Sequence, residues 1–181
     1  MNGDLVHPTS TCLHTELRPV DDEVFETATF AQVLDYLGGE MLRHECYALA
    51  ANQVGLEVPI VIFNNIKYGF PAIPVMVNPR IVEWGSEVAP FREGCLSIPG
   101  VYRTFERPTT VVVAYQDEKG DPQSVEADGL FARVIQHERD HCYGMLWPER
   151  FAKFGHQNRN QRRQLERELS KWGLDTEGHA L

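Results

Sequence analysis

The predicted fold is built around one segment, Gln136-His137-Glu138-Arg139-Asp140-His141. Histidines four residues apart project from the same side of an α-helix, about one turn from each other, so both imidazoles can bind one ion. Both also lie on an apolar stripe with helical spacing, whose other members are Leu130, Val134 and Met145. The sequence therefore predicts a helix over residues 128–144, capped at its start by the Asp128 carboxylate, that directs a metal site toward the protein interior.

Glu138 lies next to this stripe and slightly around the predicted helix. From there its carboxylate can reach a water molecule on the ion rather than the ion itself, which is the position of a general base. The alternative is a pair of core histidines that are satisfied by polar neighbours and have no catalytic role. The His-Glu-x-x-His pattern favours metal-dependent hydrolysis.

A third metal ligand is needed, because catalytic zinc-type sites use three protein ligands and leave one position for water. One class of metalloproteases has a third histidine where Trp147 stands here, and another class uses a downstream glutamate, for which Glu166 is the candidate. Cys95 is the better candidate, in Glu93-Gly94-Cys95-Leu96-Ser97, since the glycine allows a close backbone approach and a thiolate binds first-row ions strongly. A small buried apolar cysteine is the alternative at this position.

These two segments resemble two of the three motifs of the peptide deformylase family, which removes the formyl group from the N-formylmethionine of new polypeptides. The third family motif, Gly-x-Gly-Leu-Ala-Ala-x-Gln, is matched by Cys46-Tyr47-Ala48-Leu49-Ala50-Ala51-Asn52-Gln53. Cys46 and Ala48 replace the two glycines of that motif. The resemblance covers residues 5–155 and implies a deformylase that releases formate.

The resemblance implies a set of metal ligands and a base. Cys95, His137 and His141 would hold one divalent ion, Fe(II) in cells, with Zn(II) or another first-row ion as the alternative. The ion would lower the pKa of a water molecule toward neutrality, and Glu138 would accept its proton and pass it to the departing amine.

The resemblance also implies contacts with the substrate. The Gln53 side-chain amide and the Leu96 backbone N–H would stabilise the developing oxyanion. The backbone around Ala48 would run close to the bound peptide. Val134 and Leu130, one and two turns before His137, are the predicted walls of an apolar methionine pocket, with plain core packing as the alternative.

The rest of the chain predicts an α+β fold with short antiparallel strands around the central helix. An amphipathic N-terminal helix is expected over residues 22–45 and a C-terminal helix over 148–172. Strands are expected over 58–63, 74–82, 101–105 and 109–115, with a turn at 117–122. The length of 181 residues fits one domain over 1–181.

The formal net charge of −9 argues against a protein that binds nucleic acid over its whole surface. The C-terminal helix is nevertheless basic, because it contains Arg150, Lys153, Arg159, Arg162, Arg163, Arg167 and Lys171. This pattern predicts docking on ribosomal RNA near the nascent chain, with a solvated helix face as the alternative.

A cytoplasmic enzyme without a nucleotide cofactor is expected. The longest apolar segments, 58–63 and 109–115, are far shorter than the roughly 20 residues of a membrane span. Four cysteines are too few for a secreted disulfide scaffold. The remaining functional alternatives are a deformylase of another N-formyl amide, a zinc peptidase, and a non-catalytic relative of the fold.

Overall fold

The computed structural model describes residues 4–154 and 159–181. Its helices are α1 (Ala28–His44), α2 (Asn65–Tyr68), α3 (Gly129–Cys142), α4 (Trp147–Phe154) and α5 (Arg159–Leu169). Its strands are β1 (Ala48–Ala50), β2 (Ile60–Phe63), β3 (Val75–Trp84), β4 (Val88–Cys95), β5 (Ile98–Pro108), β6 (Thr110–Gln116) and β7 (Pro122–Asp128). Short 3-10 turns cover Thr11–Leu13, Asp22–Val24, Ala51–Val54 and Ser170–Trp172.

Two antiparallel sheets surround α3, so the predicted α+β class is confirmed. The larger sheet has the order β1-β2-β3-β6-β7, and β4 pairs with β5 in a separate hairpin. In that hairpin Gly94 lies opposite Tyr102, and Cys95 ends the first strand opposite Ile98. The hairpin therefore places Cys95 at the end of β4, next to helix α3.

Helix α3 is buried on nearly all sides rather than along one stripe. Phe131 and Ile135 pack into an apolar cluster with the larger sheet, while His141 on another side of the helix is only 1% exposed. The predicted cap is wrong in one detail, because Asp128 occupies the N-cap position but its side chain makes no capping hydrogen bond. The helix ends before Gly144, which has a φ of +66°. A Cβ at this position would overlap the backbone of Thr15, so both features favour glycine.

The predicted strands are present, but β1, β4 and β7 were not predicted. Half of the side chains of β4 and most of those of β7 are exposed, so neither strand has the apolar alternation that marks a half-buried strand. The predicted N-terminal helix begins later than expected, at Ala28, where the Thr27 side chain accepts a hydrogen bond from the Phe30 backbone N–H. The turn after β6 is also present, because the Asp117 carboxylate accepts the backbone N–H groups of Lys119 and Asp121.

The predicted C-terminal helix corresponds to α4, α5 and a final 3-10 turn. Its residues 155–158 lie outside the described residues. Leu165 and Leu169 of α5 are fully buried beside Trp147 and Phe151 of α4. The basic helix is therefore anchored by a second apolar cluster. None of the described helices is long and apolar enough to cross a membrane, and the assignment of residues 1–181 to one domain stays a prediction.

Candidate metal centre

Cys95, His137 and His141 lie together where the β4–β5 hairpin meets α3. Their candidate ligand atoms are all within 4.8 Å of one another. The Cys95 Sγ atom is 3.2 Å from Nε2 of His141, and the two imidazole centroids are 5.2 Å apart. The structure thus brings together the three residues that the sequence predicted as ligands.

The protonation states of this cluster favour the binding of a cation. Burial alone would raise the pKa of the Cys95 thiol, but the charge of His141 and hydrogen bonds from both imidazoles hold that pKa well below its ordinary value. Burial alone would lower the pKa of His137, but its hydrogen bonds with Cys95 and Glu93 raise that pKa well above the usual range. The cluster therefore favours a thiolate, which a divalent ion can bind once the imidazole protons leave. A thiolate with two imidazoles fits a first-row divalent ion.

Glu93 holds His137 in place. Its Oε2 atom lies 3.1 Å from Nδ1 of His137, which leaves Nε2 as the ring nitrogen for an ion. Arg107 binds both carboxylate oxygens of Glu93, at 2.7 and 2.9 Å, and Arg133 lies 3.0 Å from Oε1. Burial opposes the negative charge of Glu93, yet the hydrogen bond from His137 and the charge of Arg107 lower its pKa to about 2.

Glu138 is buried at the floor of the same cleft, with 6% of its surface exposed. Its Oε2 atom has no hydrogen-bond partner among the described residues. Burial raises the pKa of the carboxyl group, against the opposing effect of His137 and His141. A carboxyl group with a raised pKa binds a proton more tightly than an ordinary glutamate, as a group that transfers protons in a reaction requires.

Gln53 and Leu96, the predicted oxyanion donors, line the same cleft. The Gln53 Oε1 atom accepts the Ala50 backbone N–H at 3.0 Å. Its Nε2 atom donates to Ser97 Oγ at 3.2 Å and lies 3.6 Å from Cys95 Sγ. The side-chain amide is therefore directed at the sulfur of Cys95, one of the three candidate ligands.

The cleft has a volume of about 340 Å³. All three residues predicted to contact the substrate line it, but in different settings. Val134 is buried, whereas Leu130 is 36% exposed and belongs to the rim. Ala48 is buried against Phe63 and Phe131 in an apolar cluster, and its φ is not positive, so the alanine fits there without backbone strain.

The cleft also contains residues for which the sequence carried no clear signal. Tyr47, Phe91 and Tyr102 form an aromatic rim, and each of the three is 44 or 45% exposed. Cys46 lines the cleft as well, and burial together with the charges of Glu138 and Cys95 raises the pKa of its thiol to about 12.

Glu93, Ser97, Arg107 and Asp140 are further residues that sequence reasoning missed. Glu93 and Ser97 stand inside the quoted cysteine motif, where the only available signal was their position next to the ligand. Glu166, the alternative third ligand, is exposed on α5 with its Oε1 atom 3.6 Å from Arg162 and does not join the cluster of candidate ligands.

Sequence comparison identifies the family. A sequence model described as Polypeptide deformylase matches residues 4–157. The chain belongs to the polypeptide deformylase family. A peptide deformylase of Synechococcus sp. (strain CC9311) is 42% identical over 125 residues, which cover 66% of this chain and 61% of the relative. A deformylase of Borreliella burgdorferi is 37% identical over 133 residues, which cover 73% of this chain and 75% of that protein.

Solved deformylase structures share the fold. A deformylase from Synechococcus elongatus in complex with actinonin superposes with a TM-score of 0.81 and 33% identity, covering 97% of this chain and 90% of that one. An Arabidopsis thaliana deformylase superposes with a TM-score of 0.80 and 29% identity, covering 94% of this chain and 90% of the other. The resemblance and the predicted deformylase fold are therefore confirmed.

Proposed function

We propose that this protein hydrolyses the formyl group from N-formylmethionyl peptides and releases formate. The observation that carries the proposal is the buried Glu138 carboxylate, whose unpartnered Oε2 atom lies in the cleft beside the three candidate ligands. Family membership supports the same reaction, and the deformylase of Synechococcus elongatus binds actinonin.

Cys95, His137 and His141 would hold the ion, because their ligand atoms lie within 4.8 Å of one another and catalytic sites of this type use three protein ligands. When bound, a divalent ion supplies Lewis acidity toward water and the formyl oxygen. Glu93 keeps His137 in the tautomer that this ligand set needs.

Glu138 takes the proton of the attacking water and delivers it to the nitrogen as the C–N bond breaks. Burial raises the pKa of Glu138, and a group that must first accept and then donate a proton works best with a pKa near the working pH. The products are formate, which keeps the oxygen of the water, and a peptide with a protonated amino terminus, whose nitrogen receives both protons of the water.

Gln53 and Leu96 are proposed as oxyanion donors. The Gln53 amide is held by Ala50 on its oxygen side and directed at Cys95 on its nitrogen side. Fixed donors of this kind stabilise a developing negative charge without having to reorganise during the reaction.

The apolar part of the cleft is proposed to bind the methionine side chain. Val134 provides a buried wall, and Leu130 extends it to the rim. Ala48 is proposed to lie beside the peptide, where its methyl group narrows the cleft compared with the family's glycine.

Fe(II) is proposed as the ion in cells and Zn(II) as the alternative, because the donor set binds both. An iron enzyme would lose activity in air and recover it with fresh Fe(II). A zinc enzyme would keep its activity under the same treatment.

Docking on ribosomal RNA in the cytoplasm is proposed for α5. Arg159, Arg162, Arg163 and Arg167 are all exposed, whereas Leu165 and Leu169 hold the helix on the body of the protein. Deleting α5 would expose the apolar surface that Leu165 and Leu169 cover, and the protein could then bind less well for reasons other than charge. Neutralising the arginines tests the charge alone. Replacing the four arginines with glutamine should abolish a salt-dependent co-sedimentation with ribosomes, while Arg80→Gln with Lys119→Gln should not.

The test of the reaction measures formate release from formyl-Met-Ala-Ser by protein loaded anaerobically with Fe(II). Glu138→Gln keeps the size of the buried side chain and should lower turnover by about 100- to 10,000-fold. Glu87→Gln changes an exposed glutamate before β4 and should leave the rate unchanged.

Four outcomes would contradict the proposed base or favour one of the alternatives. Equal rates for the wild type and Glu138→Gln would contradict the proposed base. Faster formate release from a formylated amine other than a peptide would indicate a different formyl amide, and cleavage of an internal peptide bond would indicate a peptidase. Peptide binding without formate release would indicate a non-catalytic relative.

A further inference from the structure

A chain of buried ion pairs leads from His137 to helix α4, outside the cleft. Glu93 contacts His137 on one side and the Arg107 guanidinium on the other. Arg107 then donates from Nη1 to Asp140 Oδ2 at 2.7 Å. The other oxygen of Asp140, Oδ1, accepts from Arg150 Nη1 at 3.2 Å. Each link joins a different pair of elements, so the chain spans β4, β5, α3 and α4.

We propose that Arg150 is a positioning residue for the metal centre, acting through Asp140, Arg107 and Glu93 on His137. This inference rests on the proposed ligand set. Arg150 does not line the cleft and lies nine positions after the last candidate ligand in sequence. Its effect on the ion must therefore pass through the ion pairs rather than through contact with substrate.

Burial makes the chain sensitive to the loss of one member. The Arg107 side chain is fully buried, and those of Glu93 and Asp140 are 5% and 2% exposed. Removing one partner of a buried ion pair leaves an uncompensated charge, which costs more than the pair contributed. The remaining groups must then rearrange to share the charges that are left.

Arg107 is the member through which such a rearrangement reaches the metal. Its Nε and Nη2 atoms bind Glu93, and its Nη1 atom binds Asp140. Without Arg150, the Oδ1 atom of Asp140 keeps only a distant contact among the described residues, with the Nη1 atom of Arg139 at 3.8 Å. Asp140 would then draw Arg107 toward itself and loosen the two bonds that orient Glu93 toward His137.

Arg103 offers a matched control. Its side chain is 15% exposed, compared with 13% for Arg150, and it forms an ion pair of 3.0 Å with Glu168 of α5. Both arginines tie the C-terminal helices to the rest of the protein. The Arg103 backbone lies opposite Glu93 in the hairpin, but its side chain pairs with Glu168 and not with an acidic member of the chain that leads to His137.

The experiment measures the affinity of metal-stripped protein for Zn(II) by competition with a chelator, and the visible spectrum after loading with Co(II). Arg150→Met should weaken Zn(II) binding by about tenfold and shift the Co(II) bands. Loss of a direct partner of a metal ligand typically costs about 10- to 100-fold, and Arg150 acts on His137 through three intervening residues, so the low end of that range is expected. Arg103→Met should lower the melting temperature without changing either reading. Arg150→Gln retains a donor toward Asp140 and should fall between Arg150→Met and the wild type, which provides a milder variant if Arg150→Met does not fold.

Wild-type affinity and an unchanged Co(II) spectrum in Arg150→Met and Arg150→Gln would overturn the inference and leave Arg150 as a structural residue. Equal losses of affinity in Arg103→Met would overturn it too, because general destabilisation would then explain the effect. A wild-type protein that binds no ion, or that binds one equally well after Cys95→Ser, would overturn the proposed ligand set and this inference together. The two failures are therefore distinguishable.

Discussion

Oε2 of Glu93 lies 3.1 Å from Nδ1 of His137, and these two residues stand 44 positions apart in the chain. The contact decides which nitrogen of His137 faces the cluster of candidate ligands. It also connects His137 to two buried arginines, Arg107 and Arg133, of which only Arg133 lines the cleft. Glu93 is thus the residue on which the geometry of the site and the stability of the fold both depend.

Replacing Glu93 with glutamine should weaken metal binding. Glu93→Gln keeps the shape of the side chain but removes the charge that balances Arg107 and orients His137. A loss of about 10- to 100-fold in Zn(II) affinity is expected in chelator competition. Glu87→Gln, which changes an exposed glutamate, serves as the control. Unchanged affinity in Glu93→Gln would show that the carboxylate does not support the ligand.

The same residue predicts the direction of acid destabilisation in metal-free protein. Because the pKa of Glu93 is lowered from 4.5 to about 2, its contribution to stability is complete above about pH 4.5 and is lost as the pH falls toward 2. Urea unfolding between about pH 5 and pH 2 should show a free-energy difference between the wild type and Glu93→Gln that shrinks as the pH falls. A difference that stays constant over this range would contradict the lowered pKa.

Gly94 should not tolerate a side chain. A Cβ atom there would overlap the ring of Tyr102, which lies across the hairpin and 4.4 Å from the Arg92 guanidinium. Gly94→Ala should therefore destabilise the protein by about 1–3 kcal/mol in thermal unfolding.

Gly38 provides a control of opposite sign. No atom of residues 4–154 or 159–181 lies within 4 Å of a Cβ added at Gly38 in α1, so Gly38→Ala should stabilise the helix by up to about 1 kcal/mol. A second control concerns Gly94 itself: adding Tyr102→Ala to Gly94→Ala should recover part of the stability that Gly94→Ala loses. A Gly94→Ala protein as stable as the wild type would mean that the ring moves aside at no cost.

Gln53 should affect turnover more than substrate binding. Gln53→Leu removes the amide that is directed at Cys95, and loss of one oxyanion donor typically lowers kcat about 100- to 1,000-fold. KM should change little, because the donor acts on charge that develops during the reaction. Ser97→Ala removes only the hydroxyl that accepts from Gln53 and should cause a smaller loss. A higher KM with an unchanged kcat would assign Gln53 to substrate binding instead.

Local patterns in the sequence were enough to predict α3 and the position of its two histidines. Side chains four residues apart on a helix must lie on one side, whatever surrounds them. Cys95 needed more, since nothing local relates a cysteine in one hairpin to histidines 42 and 46 positions later. The motif resemblance supplied that pairing, and the structure then brought the three ligand atoms within 4.8 Å.

Strand β4 shows why other parts were missed. Half of its side chains are exposed and the buried one is the charged Glu93, so the strand carries little of the apolar periodicity from which strands are predicted. The C-terminal helix was predicted from its helical pattern, but the burial of Leu165 and Leu169 against α4 depends on how the chain folds back.

The amino-acid sequence by itself determined the α+β class, the helix with its histidine pair and the chemical types of the proposed ligands, because these depend on local spacing and on motif identity. Only the tertiary structure decided that Glu93 orients His137, that Arg107 and Asp140 extend this contact to Arg150, and that Tyr102 covers Gly94. Those relationships join residues 8 to 44 positions apart in the chain. Such contacts join residues from different elements and therefore form only when the chain folds, and a buried ion pair persists only where its geometry offsets the cost of removing both charges from water.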